Sequence, residues 1–415
     1  MRQDGVMLDK AIQAYKKGNL ALAECLCQDL LDKQSLQPLG YILLGKIALD
    51  IGEPQFAIDY FNQVPEQDQN YALAQNNALA AHEIISKKNN NTDKKKSPKY
   101  LLVKAWGCGF WSDVDHVLGQ LLLAEMTERI PIVYWGKNSL FGDPESVNSF
   151  EIYFEPVSSC LTFELLKKKS FTFYPGKWSA PTLLLENVNK FSGKFSRMAG
   201  IYGLNRREDV LVSDFHSFVY ELMPWIRSGS LPVDGGYEEI YRYLFKKYIK
   251  LKPHLTSAIE NFWGAHMQGK KILAVHVRGS DKVTEQPQLN EFNLRYFDAI
   301  SKVTSIHNDI YIFIITDSEP VLEDYKKRFG EKLIYTHCTR STTDVGVHYQ
   351  GHPGSKIGAE IILDTYLAAK CDFFIGNGAS NVSTTIGHMK DWPDGRYILL
   401  GDNILFQRNL FLHDC

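Results

Sequence analysis

The chain lacks any apolar run approaching the ~20 residues that a membrane helix needs, and its first residues, MRQDGVMLDKAIQAYKKG, are broken by charge throughout. A spanning segment or leader is therefore not expected. Charge of one sign is equally scarce: Lys+Arg number 46 against Asp+Glu 48, a formal net charge of −2. No chain-wide basic field gathers nucleic acid or an anionic membrane. Cysteine is sparse, seven residues without framework spacing, which fits reduced thiols and a cytoplasmic setting. Cys25 and Cys27 lie in an apolar helical pattern and read as core filler. No D-x-D pair is bracketed for a divalent cation, and Cys338, His348 and His352 fall one ligand short of a zinc set in a Gly/Ser/Thr-rich loop. No metal is expected.

What is present is apolar bulk. Hydrophobic residues make up 44% of 415, with 23 Phe, 21 Tyr and 7 Trp, enough for two or three packed domains. Residues 8 to 86 read as helices with a self-match at an offset of 34 residues: Ala11/Gly45, Gly18/Gly52, Leu22/Phe56, Ala23/Ala57 and Cys27/Phe61. That is the tetratricopeptide period. Small residues let paired helices approach, and the glycines end the first helix of each pair. This module, residues 1–86, is either a docking surface for a protein partner or a packing spacer. Residues 87–99, KKNNNTDKKKSPK, carry no apolar residue and read as a linker.

From Tyr100 the period switches to strand, turn, helix, strand. YLLVKAW and IPIVYWG open a first α/β lobe over 100–264, closed by Tyr-rich bridging helices. A second lobe over 265–415 begins at KKILAVHVRGSDK and continues through IYIFIITDS, KLIYTH, the helix IGAEIILDTYLAAK and the strand CDFFIGN. Short apolar strands alternating with helices predict parallel sheets covered on both faces.

Ligand sites in such sheets lie beyond the carboxyl ends of the strands. Four segments put polar residues there. Gly107-Cys108-Gly109 precedes a helix and suits close backbone approach to a phosphate or sugar, although such glycines also serve plain turns. His276 and Arg278 alternate along AVHVRGSDK, and Arg278 offers a planar fork for phosphate oxygens or a structural pair with Asp281. Asp317 and Ser318 end a strand, facing a cleft or capping a helix. Asp364, in an otherwise apolar helix, needs a donor such as a guanine edge or a helix-to-loop hydrogen bond. Ser380 and Asn381 stand at a further helix start able to receive an anion.

These residues carry a resemblance. GCGFWSDVDHV at 107–117 resembles the G-C-G-Y-x-x-x-L-H-H-V segment of the α1,6-fucosyltransferase family, which spans N-glycan core and rhizobial nodulation enzymes. FEIYFEPVS at 150–158 is similar to its W-E-x-x-F-x-P-V-S, AVHVRGSDKVTE to its H-V-R-R-T-D-K-V-G-T-E, and IITDSEP to its A-T-D-D-P. ILDTYLAAKCDFFIGNGASNVS follows its I-L-D…D-F-L-V…S-S-Q-V, with Ser380 16 residues after Asp364. The resemblance implies a GT-B fold of two Rossmann-like lobes and an inverting, metal-independent transferase using GDP-fucose. No cofactor is implied; the partners are the nucleotide sugar and a glycan or glycosylated-protein acceptor, as in bacterial polysaccharide assembly.

By matching positions, Arg278 and Ser380 with Asn381 would hold the β-phosphate, His276 and Asp364 would read guanosine, and Lys282 and Glu285, beside Asp281, would face the reacting centre. Gly279 stands where the family has a second Arg, one residue is missing between Lys282 and Glu285, and Asp115 replaces a His. A tetratricopeptide-like module takes the place of the family's flanking domains. Two alternatives stay open: a related transferase using another nucleotide sugar, and a silent nucleotide-binding scaffold.

Overall fold

A computed structural model describes residues 2–35, 37–89, 97–168, 170–185, 200–214, 216–233, 235–279 and 288–406. The helical front consists of α1 (Arg2–Lys16), α2 (Leu20–Asp32), α3 (Gln37–Asp50), α4 (Pro54–Asn62) and α5 (Tyr71–Asn89). Gly18 and Gly52, one 34-residue period apart, both take positive φ (+73° and +81°), the conformation glycine adopts without strain at a helix end. Asn19 then caps α2 by accepting from the Leu22 amide at 3.2 Å. At Gly45 a Cβ would stand 2.4 Å from the Phe61 ring, so the small residue is what lets α3 and α4 close. The last helix runs on through Lys87, Lys88 and Asn89, past the point where the sequence placed the start of the linker. Most of the Lys-rich stretch, 90–96, lies outside the described residues.

The module is packed against the first lobe. Its core is continuous with Trp106, Ile201 and Trp225 of that lobe, and the Trp225 indole N–H donates to buried Glu24 at 3.2 Å. Phe56 and Tyr60 set their edges against Trp225. Around this contact the Ala21 amide donates to Tyr202 Oη at 3.1 Å, and Arg227 pairs with Glu53 at 2.5 Å. Of the two roles open from sequence, packing is the one these contacts display.

The first lobe holds a four-stranded sheet of β1 (Tyr100–Lys104), β2 (Ile130–Tyr134), β3 (Phe173–Tyr174) and β4 (Val210–Ser213), in the order β2-β1-β4-β3 and parallel throughout. Helix α6 (Phe110–Met126) follows β1, and α7 (Phe150–Tyr153), α8 (Thr162–Lys167) and α9 (Val219–Leu222) lie on the later connections. The bridging helices are α10 (Tyr237–Tyr248) and α11 (Pro253–Phe262).

The second lobe holds β5 (Ile272–His276), β6 (Tyr311–Ile315), β7 (Leu333–Ile334), β8 (Phe373–Asn377) and β9 (Tyr397–Leu400) in the order β7-β6-β5-β8-β9, again all parallel. Its helices are α12 (Gln288–Ile306), α13 (Glu319–Phe329), α14 (Gly354–Lys370) and α15 (Asn381–Met389). In chain order this is 3-2-1-4-5, the doubly wound pattern whose winding reverses between β5 and β8. The mixed α/β class with two parallel sheets behind a helical front is as the sequence led us to expect.

The lobes share one hydrophobic core. Helix α6 of the first lobe reaches the second directly, with Trp111 Nε1 donating to Thr365 of α14 at 2.8 Å. One turn on, Asp115 is buried and accepts from Tyr241 of α10 at 2.6 Å. Burial pushes its carboxyl well above the usual carboxylate range.

Candidate functional site

Ligands of doubly wound sheets bind at the winding reversal, here at the carboxyl ends of β5 and β8, and most of the second-lobe candidates converge on that edge. His276 is the last residue of β5. Its carbonyl accepts from Tyr296 Oη at 2.6 Å and its Nδ1 lies 2.7 Å from Ser383 Oγ. Burial lowers its pKa to about 3, so the ring is neutral near pH 7.

Two residues on, Arg278 forms an ion pair with Asp317. Asp317, at the end of β6, is thus a partner of Arg278; the pairing with Asp281 weighed from sequence lies outside the described residues. His276 is in register with Ile315, so residues 278 and 317 continue the same pairing. The other Asp317 oxygen, Oδ1, accepts the Gly279 amide at 2.9 Å. At Gly279 a Cβ would stand 2.7 Å from Ser318 Cβ, which explains why no larger residue occupies it. We expect Gly279→Ala to cost about 1–3 kcal/mol of stability through overpacking and to weaken nucleotide binding as Arg278 shifts. A melting temperature equal to the parent's would contradict this close approach.

Beyond β8 the chain enters α15. Ser380 is its N-cap residue, and its hydroxyl makes no cap hydrogen bond. Asn377 receives the Ala379 amide at 2.8 Å through Oδ1, and its own amide donates to Ser383 Oγ at 3.0 Å. Asn377 Nδ2 and Asn381 Oδ1 are buried without a hydrogen-bond partner among the described residues. A helix start with backbone donors and unspent side-chain polarity, beside a guanidinium on the neighbouring strand, suits an anionic oxygen.

Asp364 projects from α14. Thr336, just past β7, donates to Oδ1 at 2.6 Å. Burial raises the carboxyl to about 6, opposed by the Thr336 hydrogen bond and the Arg340 charge. Asp364 therefore approaches the edge from the β7 side, with no direct bond to His276 among the described residues. Asp281, Lys282 and Glu285 lie outside the described residues.

The first-lobe loop differs from expectation. The Gly107 and Cys108 amides both donate to the Asp113 carboxylate, Gly107 at 3.0 Å and Cys108 at 3.3 Å. The loop holds an anion of its own, so these two amides are not a cradle for phosphate; at Gly109, where nothing lies within 4 Å of a Cβ position, the backbone stays open. Beyond β4, residues that sequence reasoning did not single out line the same end of the sheet. Asp214 pairs with Lys177 at 2.5 Å, and His216 stacks on His116 with its Nε2 3.4 Å from Ser112 Oγ. Asn377 was likewise missed in the second lobe. The signal for all of them is position: each lies at or just beyond a strand's carboxyl end.

The chain is similar to fucosyltransferases of known structure. One is NodZ α1,6-fucosyltransferase soaked with GDP-fucose, 18% identical, covering 70% of this chain and 92% of that one with a TM-score of 0.47. Another is POFUT1 in complex with GDP, 15% identical, covering 73% and 99% with a TM-score of 0.46. A third is Arabidopsis thaliana FUT1 in complex with GDP, 11% identical, covering 74% and 73% with a TM-score of 0.44. No family model and no curated protein matches the chain.

The donors gathered at the second-lobe edge are a guanidinium, backbone amides and short polar side chains. Among the described residues no group of three His, Cys, Asp or Glu side chains is placed to hold a metal ion, and no helix is long and apolar enough to cross a membrane.

Proposed function

We propose that the protein is an inverting, metal-independent glycosyltransferase that moves fucose from GDP-fucose to a glycan or protein-linked acceptor. The observation that carries this reading is the convergence, at one winding reversal, of the Arg278–Asp317 pair and the Ser380-Asn381 helix start, in the order the α1,6-fucosyltransferase motifs prescribe. Residues 265–415 would hold the donor, residues 100–264 the acceptor, and the tetratricopeptide-like front, residues 1–86, would brace the acceptor lobe.

Breaking the anomeric C–O bond leaves the electron pair and its negative charge on the β-phosphate of GDP. Arg278 and the Asn381 amide that opens α15 would take up that charge as it develops, which is where fixed donors act most strongly; the Ser380 amide is already given to the Asn377 carbonyl at 3.1 Å. The acceptor hydroxyl attacks the opposite face, forming the new C–O bond and inverting the centre, while its proton passes to a base. The resemblance assigns that base to Glu285, with Lys282 beside it; a general base contributes about 10²–10⁴-fold.

Incubating the purified protein with a panel of nucleotide sugars and following nucleotide release tests the whole reading. GDP should appear from GDP-fucose alone, with EDTA making no difference. Release from a uridine sugar, or a strict divalent-cation requirement, overturns it, and binding of GDP-fucose without turnover marks a silent scaffold.

Base recognition has its own check. A carboxylate at Asp364 accepts two guanine N–H groups, whereas the acid form has one fewer acceptor. Its pKa of about 6 means that guanosine affinity should fall as pH drops below about 6. Guanosine serves better than GDP here, because a terminal phosphate itself titrates near pH 6. Asp364→Asn should remove this pH dependence and cost about 1–3 kcal/mol against guanosine, as for bidentate base recognition, but little against uridine or adenosine. Equal weakening of all three nucleosides would make Asp364 a fold residue.

A further inference from the structure

Ser383 closes the stretch ILDTYLAAKCDFFIGNGASNVS, but the resemblance gives it no role, and it sits at the centre of the winding reversal. It lies in the first turn of α15, fully buried, and its hydroxyl meets the ends of both flanking strands. The Asn377 amide, at the end of β8, donates to Oγ at 3.0 Å, while His276 Nδ1, at the end of β5, lies 2.7 Å from the same oxygen. Oγ is thus already an acceptor toward Asn377. Its one proton needs an acceptor of its own, because a buried hydroxyl hydrogen left unpaired is costly, and among the described residues His276 Nδ1 is the one in reach. We infer that Ser383 is a positioning residue that donates to His276 Nδ1, fixes the ring as the Nε2–H tautomer, and so makes His276 a donor that selects a nucleobase presenting a carbonyl oxygen over one presenting an amino group.

The choice of tautomer follows from which nitrogen is engaged. With Nδ1 accepting, the ring proton resides on Nε2, which has no hydrogen-bond partner among the described residues. The neutral state that this requires agrees with the burial of the ring, which holds its pKa at about 3. The surroundings keep the hydroxyl in place. A Cβ at Gly376 would fall 2.5 Å from Ser383 Oγ, and Tyr397 Oη donates to the Ser383 carbonyl at 3.1 Å. A guanine or hypoxanthine oxygen accepts from Nε2–H, whereas the adenine amino group at the same place opposes donor to donor. The selectivity part of this inference rests on the donor reading above; the tautomer part does not.

Two measurements separate them. In protein carrying ¹⁵N-histidine, the His276 signals, assigned by their loss in His276→Gln, should show an unprotonated Nδ1 and a protonated Nε2. In binding titrations of GDP, IDP and ADP, the parent should favour GDP and IDP over ADP. Ser383→Ala should shrink that preference at least tenfold as the ring exchanges tautomers, and Ser383→Thr, which keeps the hydroxyl, should restore it. A protonated Nδ1 in the parent overturns the inference even if no variant folds. So does an unchanged GDP-to-ADP ratio in a folded Ser383→Ala. A parent that binds no guanosine nucleotide but shows the expected nitrogen signals overturns the donor reading and the selectivity while leaving Ser383's hold on the ring standing.

Discussion

Removal of residues 1–98 should leave a protein that is largely insoluble, or soluble only as an expanded, dye-binding state without nucleotide affinity. The reason is the shared core: Trp106, Ile201 and Trp225 belong to the first lobe but are buried with the residues of α1 to α5. Fully burying one large apolar side chain stabilises by about 1.5–3 kcal/mol, and a fold whose net stability is on the order of 5–15 kcal/mol does not survive the exposure of several at once. Exposed together they also form one apolar patch, a site for aggregation. A smaller cut isolates the cause: Trp225→Ala should cost about 3–5 kcal/mol and leave buried Glu24 without its indole donor. Solubility, dye binding and thermal unfolding of the truncated and point variants decide the matter. A soluble, cooperatively folding 99–415 fragment that binds GDP as the whole chain does would show that the module is dispensable to the fold and return the docking role to first place.

The same contact shows where sequence was informative. Gly18 and Gly52 announced the 34-residue period because a helix end that needs positive φ leaves a glycine behind. Nothing in the period announced Trp225, whose partner Glu24 is 201 residues away. The strands β1, β2, β5, β6, β7 and β8 were legible as apolar runs ending in polar or glycine residues. By contrast, β3 spans only Phe173–Tyr174, and β4 is four residues within the charged stretch RREDVLVSDFH; β9 is another four-residue strand, after a Pro-Asp-Gly turn. Runs this short are not separable from buried helix or loop by periodicity; β7, Leu333–Ile334, is as short and was legible only through its place between one helical stretch and the next.

Among the site residues, Arg278 and Asp317 were each visible at strand ends, but that they pair required the β5–β6 register. At Gly107-Cys108 the glycines marked a place where backbone amides converge. The reading went wrong because Asp113, four residues into the helix, brings the anion from within the chain.

Arg278→Ala should abolish most turnover, by about 10²–10³-fold, the loss seen when one preorganised donor to a developing oxyanion is removed. The guanidinium now faces Asp317, and both side chains are largely withdrawn from solvent. Two roles compete for it: to hold Asp317, and through it the Gly279 amide and the end of β6, or to meet the departing β-phosphate. They differ in what the partner's removal does. Asp317→Asn keeps an oxygen to accept the Gly279 amide and leaves Arg278 its full charge, so it should cost only about tenfold, the worth of one charge-assisted hydrogen bond. Arg278→Lys should recover part of the activity but not all, because an ammonium is a point charge without the planar fork that meets two phosphate oxygens. The loss in Arg278→Ala should fall mainly on kcat, since charge on the phosphate peaks in the transition state, with the melting temperature little changed. If Asp317→Asn is as damaging as Arg278→Ala, or if Arg278→Ala turns over near the parent rate, the arginine is a structural partner of Asp317, and the charge on the leaving group must be met from elsewhere.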